Sequence, residues 1–160
     1  MNYNLNIRIM KKTLYLLITL AGFFVTIGAQ AQFRPIPGVV TDSFKIRYPN
    51  ATSVTWSDKV SAFQAVFMVG TEKHVSRYSK DGQWQSTTKK IAKDAIPPAV
   101  KDGLSKSKYA SSEWEIRDVT VRYEPGISTE YIIQVAKSDV QKYNLTFNNE
   151  GQLLKDNKTL

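Results

Sequence analysis

The chain has 160 residues, with 22 basic and 14 acidic side chains, a net charge of +8 and no cysteine. The absence of cysteine excludes disulfide bonds, thiolate metal ligands and thiol nucleophiles. A single histidine leaves a transition-metal site without enough nitrogen ligands. The length is sufficient for one domain with a hydrophobic core, or for two small units that share a core.

Residues 1–31 have the three-part pattern of a cleavable secretory signal. Lys11 and Lys12 precede an apolar stretch, and Ala29 and Ala31 supply the small side chains that a signal peptidase recognises. The apolar stretch is shorter than the roughly 20 residues of a spanning helix. We therefore expect no membrane anchor. Because no cysteine follows the apolar stretch, we expect no lipoprotein either.

Cleavage of this signal would leave one domain over residues 32–160. The removed segment contains three basic residues and no acid, so the mature net charge falls to +5. This modest charge is weakly favourable to acidic partners. We therefore expect a protein of the periplasm or the cell exterior, with no transmembrane span after cleavage.

Residues 36–88 predict one helix followed by four antiparallel strands. Val40, Phe44 and Tyr48 recur at the spacing of one helical face, and a proline then ends the pattern. Alternating side chains over residues 63–69 predict a strand that is buried mainly on its aromatic side. Further strands are predicted at 54–56, 73–79 and 83–87, with a hairpin turn at 80–82.

Residues 96–156 repeat this order of elements. The segment 96–100 is similar to 36–40, and a second hairpin turn at 149–151 is similar to the first at 80–82. We predict an α+β fold made of a tandem repeat of one helix plus an antiparallel four-stranded sheet, with residues 89–94 as the linker. So short a unit buries its sheet face poorly alone. The two copies are therefore expected to pair edge to edge or to place both helices on one face.

Several motifs, taken in order, resemble a known family of exported bacterial proteins. They are Phe44-x-x-x-Tyr48-Pro49-Asn50-Ala51, Val54-Thr55-Trp56, Tyr78-Ser79-Lys80-Asp81-Gly82-Gln83-Trp84 and Ile96-Pro97-Pro98-Ala99-Val100. Over about residues 36–156 the chain resembles the beta-lactamase-inhibitor-like, PepSY-like family, which is found heavily in Bacteroidetes.

The resemblance implies a tandem repeat with antiparallel sheets and a periplasmic or outer-surface location. It implies no enzymatic activity and no settled ligand. The name of the family records a likeness to a beta-lactamase inhibitor that binds its target enzyme across the concave face of a sheet. No residue of this chain can be matched to an inhibitory loop, and likeness of fold does not carry function.

The residues with catalytic potential form no recognisable set. His74 has no predicted nucleophile or orienting group beside it, and is interpreted as a surface residue of a strand. Glu113 and Glu115 share one face of a strand, which a solvated face opposite a buried Trp114 explains. We predict no catalytic residue, no metal and no cofactor. An enzyme built on His74 or on the glutamate pair remains the alternative.

Aromatic side chains in the predicted strands are the strongest candidates for binding a partner. Trp56, Tyr78 and Trp84, together with Arg77, combine the residue types that dominate protein interfaces. We predict a non-catalytic exported module that holds a protein or peptide partner of the cell envelope on an open sheet face. The alternative is an inhibitor or regulator of an exported hydrolase, a peptidase or a beta-lactamase, by analogy with the family.

Two groups of lysines indicate a further alternative function, attachment to the cell envelope. Lys89, Lys90 and Lys93 form one group, and the other consists of Lys101, Lys106 and Lys108. They are interpreted as solvated surfaces, or as a basic face that attaches the protein to the envelope. An exported protein rarely meets nucleic acid, so no nucleic-acid partner is expected. The oligomeric state cannot be predicted from the sequence.

Overall fold

A computed structural model describes residues 35–159 of the chain. The predicted signal segment lies outside the described residues. The elements are, in chain order, α1 (Gly38–Arg47), β1 (Thr52–Lys59), β2 (Ala62–Val69), β3 (Glu72–Tyr78), β4 (Trp84–Lys90), a 3₁₀ turn (Lys93–Ala95), α2 (Pro98–Ser105), β5 (Glu115–Glu124), β6 (Ile127–Ser138), β7 (Gln141–Asn148) and β8 (Leu153–Thr159). Between residues 35 and 159, neither helix is long and apolar enough to cross a lipid bilayer.

All eight strands form one antiparallel sheet in the order in which they occur along the chain. The pairing of β4 with β5 joins the first four strands to the last four, from Thr87 opposite Tyr123 to Lys90 opposite Thr120. Just beyond this seam, the Ile91 amide donates a hydrogen bond to the Val119 carbonyl. The predicted α+β class and the antiparallel pairing are confirmed.

Both helices lie on the same face of the sheet, as the strand register shows. Side chains of directly paired residues point to the same side. On one side, the register aligns Ala65 with Ser76 and Thr87 across β2, β3 and β4, and then aligns Val121 with Phe147 through β6. Residues of this side contact α1 and α2, and we call it the helix-covered face. The opposite side is the open face.

The core beneath α1 is rich in aromatic side chains. Phe44 of α1 packs edge to face against Phe67, with the ring centroids 4.9 Å apart, and against Trp56 at 5.3 Å. Edge-to-face contacts bring the positive rim of one ring against the negative face of another, which stabilises the pair beyond simple burial. Val40 and Tyr78 complete this core without any exposed surface.

The core beneath α2 is mainly aliphatic. Val100 of α2, Ile133 of β6 and Leu145 of β7 are fully buried there. Tyr109, Trp114 and the half-buried Tyr143 close one side of this core with ring contacts of 5.0–5.6 Å between centroids.

Each helix begins against the last hairpin turn of its own half of the chain. A Cβ built at Gly82, between β3 and β4, would lie 2.7 Å from the Val39 carbonyl oxygen. A Cβ built at Gly151, between β7 and β8, would lie 2.1 Å from the Ala99 carbonyl oxygen. Both glycines have positive φ, +78° and +82°. The turns therefore need glycine for backbone conformation and for close approach to the helix.

Several element boundaries differ from the sequence-based predictions. β1 has eight residues where three were predicted, and β4 continues through Lys89 and Lys90, which were assigned to the linker. Lys89 and Lys90 belong to β4 because they pair with β5. The residues of β5 lie about thirty positions further along the chain, so the local sequence pattern does not reveal this pairing. The second helix ends at Ser105, so Tyr109 lies in the following loop and packs there as a core residue.

The close approach at Gly151 leads to a test of stability. We expect Gly151→Ala to lower the free energy of unfolding by about 3 kcal/mol or more, since it adds left-handed strain to a collision with the backbone of α2. Gly126→Ala is the matched control, because Gly126 has a similar φ of +72° with no atom within 4 Å of a built Cβ. It should cost about 1–2 kcal/mol. Equal losses in urea unfolding would contradict the proposed contact.

Candidate functional site

The open face has a central group of mostly small side chains, of which Val66, Val75, Thr88 and Ile132 are half-buried and Thr146 is buried. Neighbouring strands pair Val66 with Val75, Val75 with Thr88, and Ile132 with Thr146. In the part of the chain that the structure describes, neither helix covers this group, since both pack on the other face. Antiparallel sheets commonly keep one face accessible to solvent or to a partner. This face is the candidate functional site.

The strand aromatics all lie on the helix-covered face. Tyr78 is fully buried, Trp56 packs on Phe44 and Tyr78, and Trp84 contacts the same core. Tyr78 therefore cannot reach a partner in this structure, and the predicted group of four anchors is divided between the two faces. Arg77 is the member that lies exposed on the open face, paired in register with Gln64 and Ser86.

Trp84 has a structural role through two contacts. Its ring lies beneath the guanidinium of Arg47, 3.8 Å from the ring centroid. Its Nε1 donates a hydrogen bond of 2.8 Å to Thr87 Oγ1. An arginine stacked on an indole ring is a stabilising cation–π contact, and here it links the last turn of α1 to the start of β4.

Thr87 is the centre of a buried polar cluster below α1. Its hydroxyl donates to Ser76 Oγ at 2.9 Å, and it accepts hydrogen bonds from Trp84 Nε1 and from the Tyr48 hydroxyl. Ser76 in turn donates to the Ser86 carbonyl. Every hydroxyl of the cluster is therefore satisfied without water, as buried polar groups require.

Tyr109 makes the corresponding contact in the second half. Its hydroxyl donates to Asp156 on β8, which also forms an ion pair of 2.8 Å with Lys108. The hydrogen bond from Lys108, followed by the one from Tyr109, lowers the pKa of the Asp156 carboxyl. This end of the helix-covered face is thus fastened to an edge strand by a carboxylate that stays ionised.

Acidic side chains on the open face are neutralised within the sheet. Asp118 forms an ion pair with Lys90, with 2.8 Å between Oδ2 and Nζ. Glu130, whose side chain is 9% exposed, is bound by both Nε and Nη2 of Arg122, and Glu124 lies 3.2 Å from the same Nε. A buried carboxylate needs such paired donors to offset its desolvation. Lys73 and Arg77 form no ion pair with any residue between 35 and 159.

His74, the first candidate catalytic residue, is packed against neighbouring side chains. His74 was predicted at the surface, but its side chain is only 12% exposed and stacks on Phe67 at 5.5 Å between centroids. Its Nε2 lies 3.5 Å from Glu72, whose pKa is lowered mainly by a hydrogen bond from Lys89. The aromatic contact on the helix-covered face explains why the prediction was wrong.

The two glutamates of β5 and its preceding loop do not act as a pair. Glu113 accepts a hydrogen bond of 2.9 Å from Lys137, whereas Glu115 lies 3.3 Å from Arg117. Both carboxylates are well exposed. Each carboxylate therefore contacts a different cation.

Two shallow grooves lie beside the helices. The first, of about 400 Å³, runs between α1 and the edge strand β1, and its apolar lining includes Phe44, Tyr48 and Trp56. The second, of about 380 Å³, occupies the matching place between α2 and β5 and includes Tyr109 and Trp114. Neither lining contains a carboxylate or a histidine.

The polar cluster allows a test that separates the two faces. We expect Thr87→Val to lower the free energy of unfolding by roughly 2–3 kcal/mol, because it leaves buried donors unpaired. Thr88→Val is the matched control on the same strand, with its side chain on the open face. It should change stability by less than about 0.5 kcal/mol. The opposite ranking in thermal or urea unfolding would refute the assignment of faces.

Comparison with solved structures places this fold among proteins of Bacteroides. A DUF2874 family protein from Bacteroides ovatus is 28% identical with a TM-score of 0.72, covering 78% of this chain and 89% of that chain. A BLIP-like protein from Bacteroides fragilis is 25% identical with a TM-score of 0.72, covering 80% and 89%. A protein from Bacteroides eggerthii, described provisionally as periplasmic, is 23% identical with a TM-score of 0.71, covering 78% and 90%.

Sequence comparison agrees with the fold. No curated protein shows significant similarity to the chain. The model of the beta-lactamase-inhibitor-like, PepSY-like family matches residues 61–155, which is more than half of the chain. This match spans β2 to the start of β8 and confirms the resemblance inferred from the sequence motifs. The chain therefore belongs to the beta-lactamase-inhibitor-like, PepSY-like family.

Proposed function

We propose that this protein is an exported, non-catalytic binding module that holds a protein or peptide partner on its open face. The observation that carries the proposal is the one-sided packing of the sheet. Both hydrophobic cores lie on the helix-covered face, and neither helix packs on the open face. Val66, Val75 and Thr88 at its centre are half-buried and available for contact with another molecule.

The proposal that the protein is exported rests on its sequence and on one similar solved structure. Residues 1–31 have the pattern of a cleavable signal, and the mature chain would begin at Gln32. The neighbour from Bacteroides eggerthii, described provisionally as periplasmic, supports the same compartment. The proposed partner is accordingly a protein or peptide of the cell envelope.

We also propose that the domain arose by internal duplication, with repeats at about 36–88 and 96–156. Matching contacts support this. Each helix is followed by four strands, and each carries its first turn against the glycine of the last hairpin in its half. A tyrosine near the end of each helix bonds to the last strand of its half, Tyr48 to Thr87 and Tyr109 to Asp156.

The open face is tested by a bulky neutral side chain at its centre. Thr88→Trp should abolish capture of a partner from periplasmic extract, because the indole ring would hold a docked surface away from the sheet. Ile46→Trp is the control, at a position on α1 that is 83% exposed. The proposal predicts a protein that is retained by the control and lost by Thr88→Trp. Retention of the same proteins by both variants, or capture of nothing above background, would contradict it.

A second candidate function is inhibition of an exported hydrolase. The specific observation in its favour is the likeness to a BLIP-like protein, with 25% identity and a TM-score of 0.72. Micromolar protein should then slow at least one enzyme in a panel of beta-lactamases and secreted peptidases. Thr88→Trp should remove the inhibition while Ile46→Trp keeps it. Unchanged rates across the panel would exclude this function for the enzymes assayed.

A further inference from the structure

We propose that the open face recognises an acidic segment of a polypeptide, through Lys73 and Arg77 of β3. The inference rests on the proposed function, since it names the chemistry of the partner that would dock on this face. It depends on the distribution of charge across the sheet, and on the kind of side chain that separates the cations.

The first half of the open face carries basic side chains without a carboxylate. On β2, β3 and β4 the register places the following side chains on this face: Ala62, Gln64, Val66, Met68, Lys73, Val75, Arg77, Ser86, Thr88 and Lys90. None of them is acidic. The nearest carboxylates on the face belong to the second half, beyond the seam between β4 and β5.

Those carboxylates are already engaged. Asp118 pairs with Lys90, while Glu124 and Glu130 both pair with Arg122. These pairs leave Lys73 and Arg77 as exposed cations without an internal counter-charge among residues 35–159. Acidic groups of a partner could therefore approach both cations without displacing an existing ion pair, and charge complementarity of this kind aids both encounter and specificity.

The spacing of the two cations favours an extended peptide chain. Lys73 and Arg77 are four residues apart on one strand, which places them roughly 13 Å from each other on the same face. Val75 lies between them, with Val66 beside it on β2. A strand-like segment with acidic residues four positions apart and an apolar residue between them matches this pattern.

The chemistry of the two cations points to carboxylates rather than to a densely charged polyanion. The planar guanidinium of Arg77 can bind a carboxylate through two parallel hydrogen bonds. A sulfated polysaccharide would gain most from a dense cluster of cations, whereas here an aliphatic pair separates them. Apolar side chains of a polypeptide would cover Val66 and Val75, which a polysaccharide chain could not do as well.

The inference can be tested with a fluorescein-labelled decapeptide that has Glu-Ser-Val-Ser-Glu at its centre, because an extended chain places these two glutamates and the valine on one side. Its binding should weaken roughly fivefold or more in the double variant Lys73→Gln/Arg77→Gln, because two exposed ion pairs are lost. The matched control is Lys45→Gln/Lys106→Gln, which removes the same charge from a residue of α1 and from the residue that follows α2, whose side chains are 74% and 72% exposed. The control should change the dissociation constant less than about twofold.

Competing outcomes are separated within the same experiment. Equal weakening in both double variants would mean that net charge alone attracts the peptide, and would overturn the inference. Binding of heparin, but not of the peptide, with loss only in Lys73→Gln/Arg77→Gln would overturn it in favour of a polysaccharide. Peptide binding should also fall as salt rises from 0.05 to 0.5 M, since the screening length shortens from about 14 Å to about 4 Å.

Failure of the inference can be distinguished from failure of the proposed function. A captured partner that is lost by Thr88→Trp but retained by Lys73→Gln/Arg77→Gln would leave docking on the open face intact and refute the acidic chemistry. Loss by both variants, with retention by Lys45→Gln/Lys106→Gln, is the result expected here. Peptide binding that resists both Thr88→Trp and the double variant would place the site elsewhere and refute the inference.

Discussion

The alternation of side chains along each strand, kept in register across all eight strands, is the constraint on which the rest of this structure depends. Because paired residues point to the same side, a single consistent register collects the strand aromatics beneath the two helices. The same register gathers Val66, Val75, Thr88 and Ile132 on the other side. A slip of one residue in any strand would move its apolar side chains into solvent, so packing under the helices also determines what the open face displays.

Joining the two halves through β4 and β5 gives the sheet a width that neither half has alone. The seam involves few residues, but Thr88 and Arg122 meet across it on the open face. Arg122 then reaches Glu130 on β6, whereas Lys90 on β4 reaches Asp118 on β5. These pairs place the neutralised carboxylates in the second half and leave the cations of β3 in the first. The asymmetry of charge on the open face thus follows from the residues at the seam.

Much of the fold could be predicted from local patterns, because helix spacing, strand alternation and hairpin glycines act over a few residues. The α+β class, the eight strands and the turn at Gly82 follow from such signals. The extent of β4 could not be predicted, since it depends on pairing with β5. Tyr78 and Trp84 were considered as surface anchors because composition alone does not reveal which side of a sheet is covered. The hairpin register could have revealed it: Phe63 pairs with Tyr78, and Tyr78 with Trp84, so all three share the aromatic side.

The sequence therefore predicted that an open sheet face would be the candidate site, but it did not predict most of the residues on that face. Aromatic anchors are the usual mark of a protein interface, but here the cores use them, and Arg77 is the one candidate left on the open face. Most side chains on the first half of that face are small, aliphatic or basic, and they form strands without filling a core. Exposed positions such as Lys73 and Arg77 can change with little loss of stability. A sheet whose hydrophobic cores lie on one face can use the other face for recognition, and in this chain that face displays Lys73 and Arg77 without an ion pair among residues 35–159.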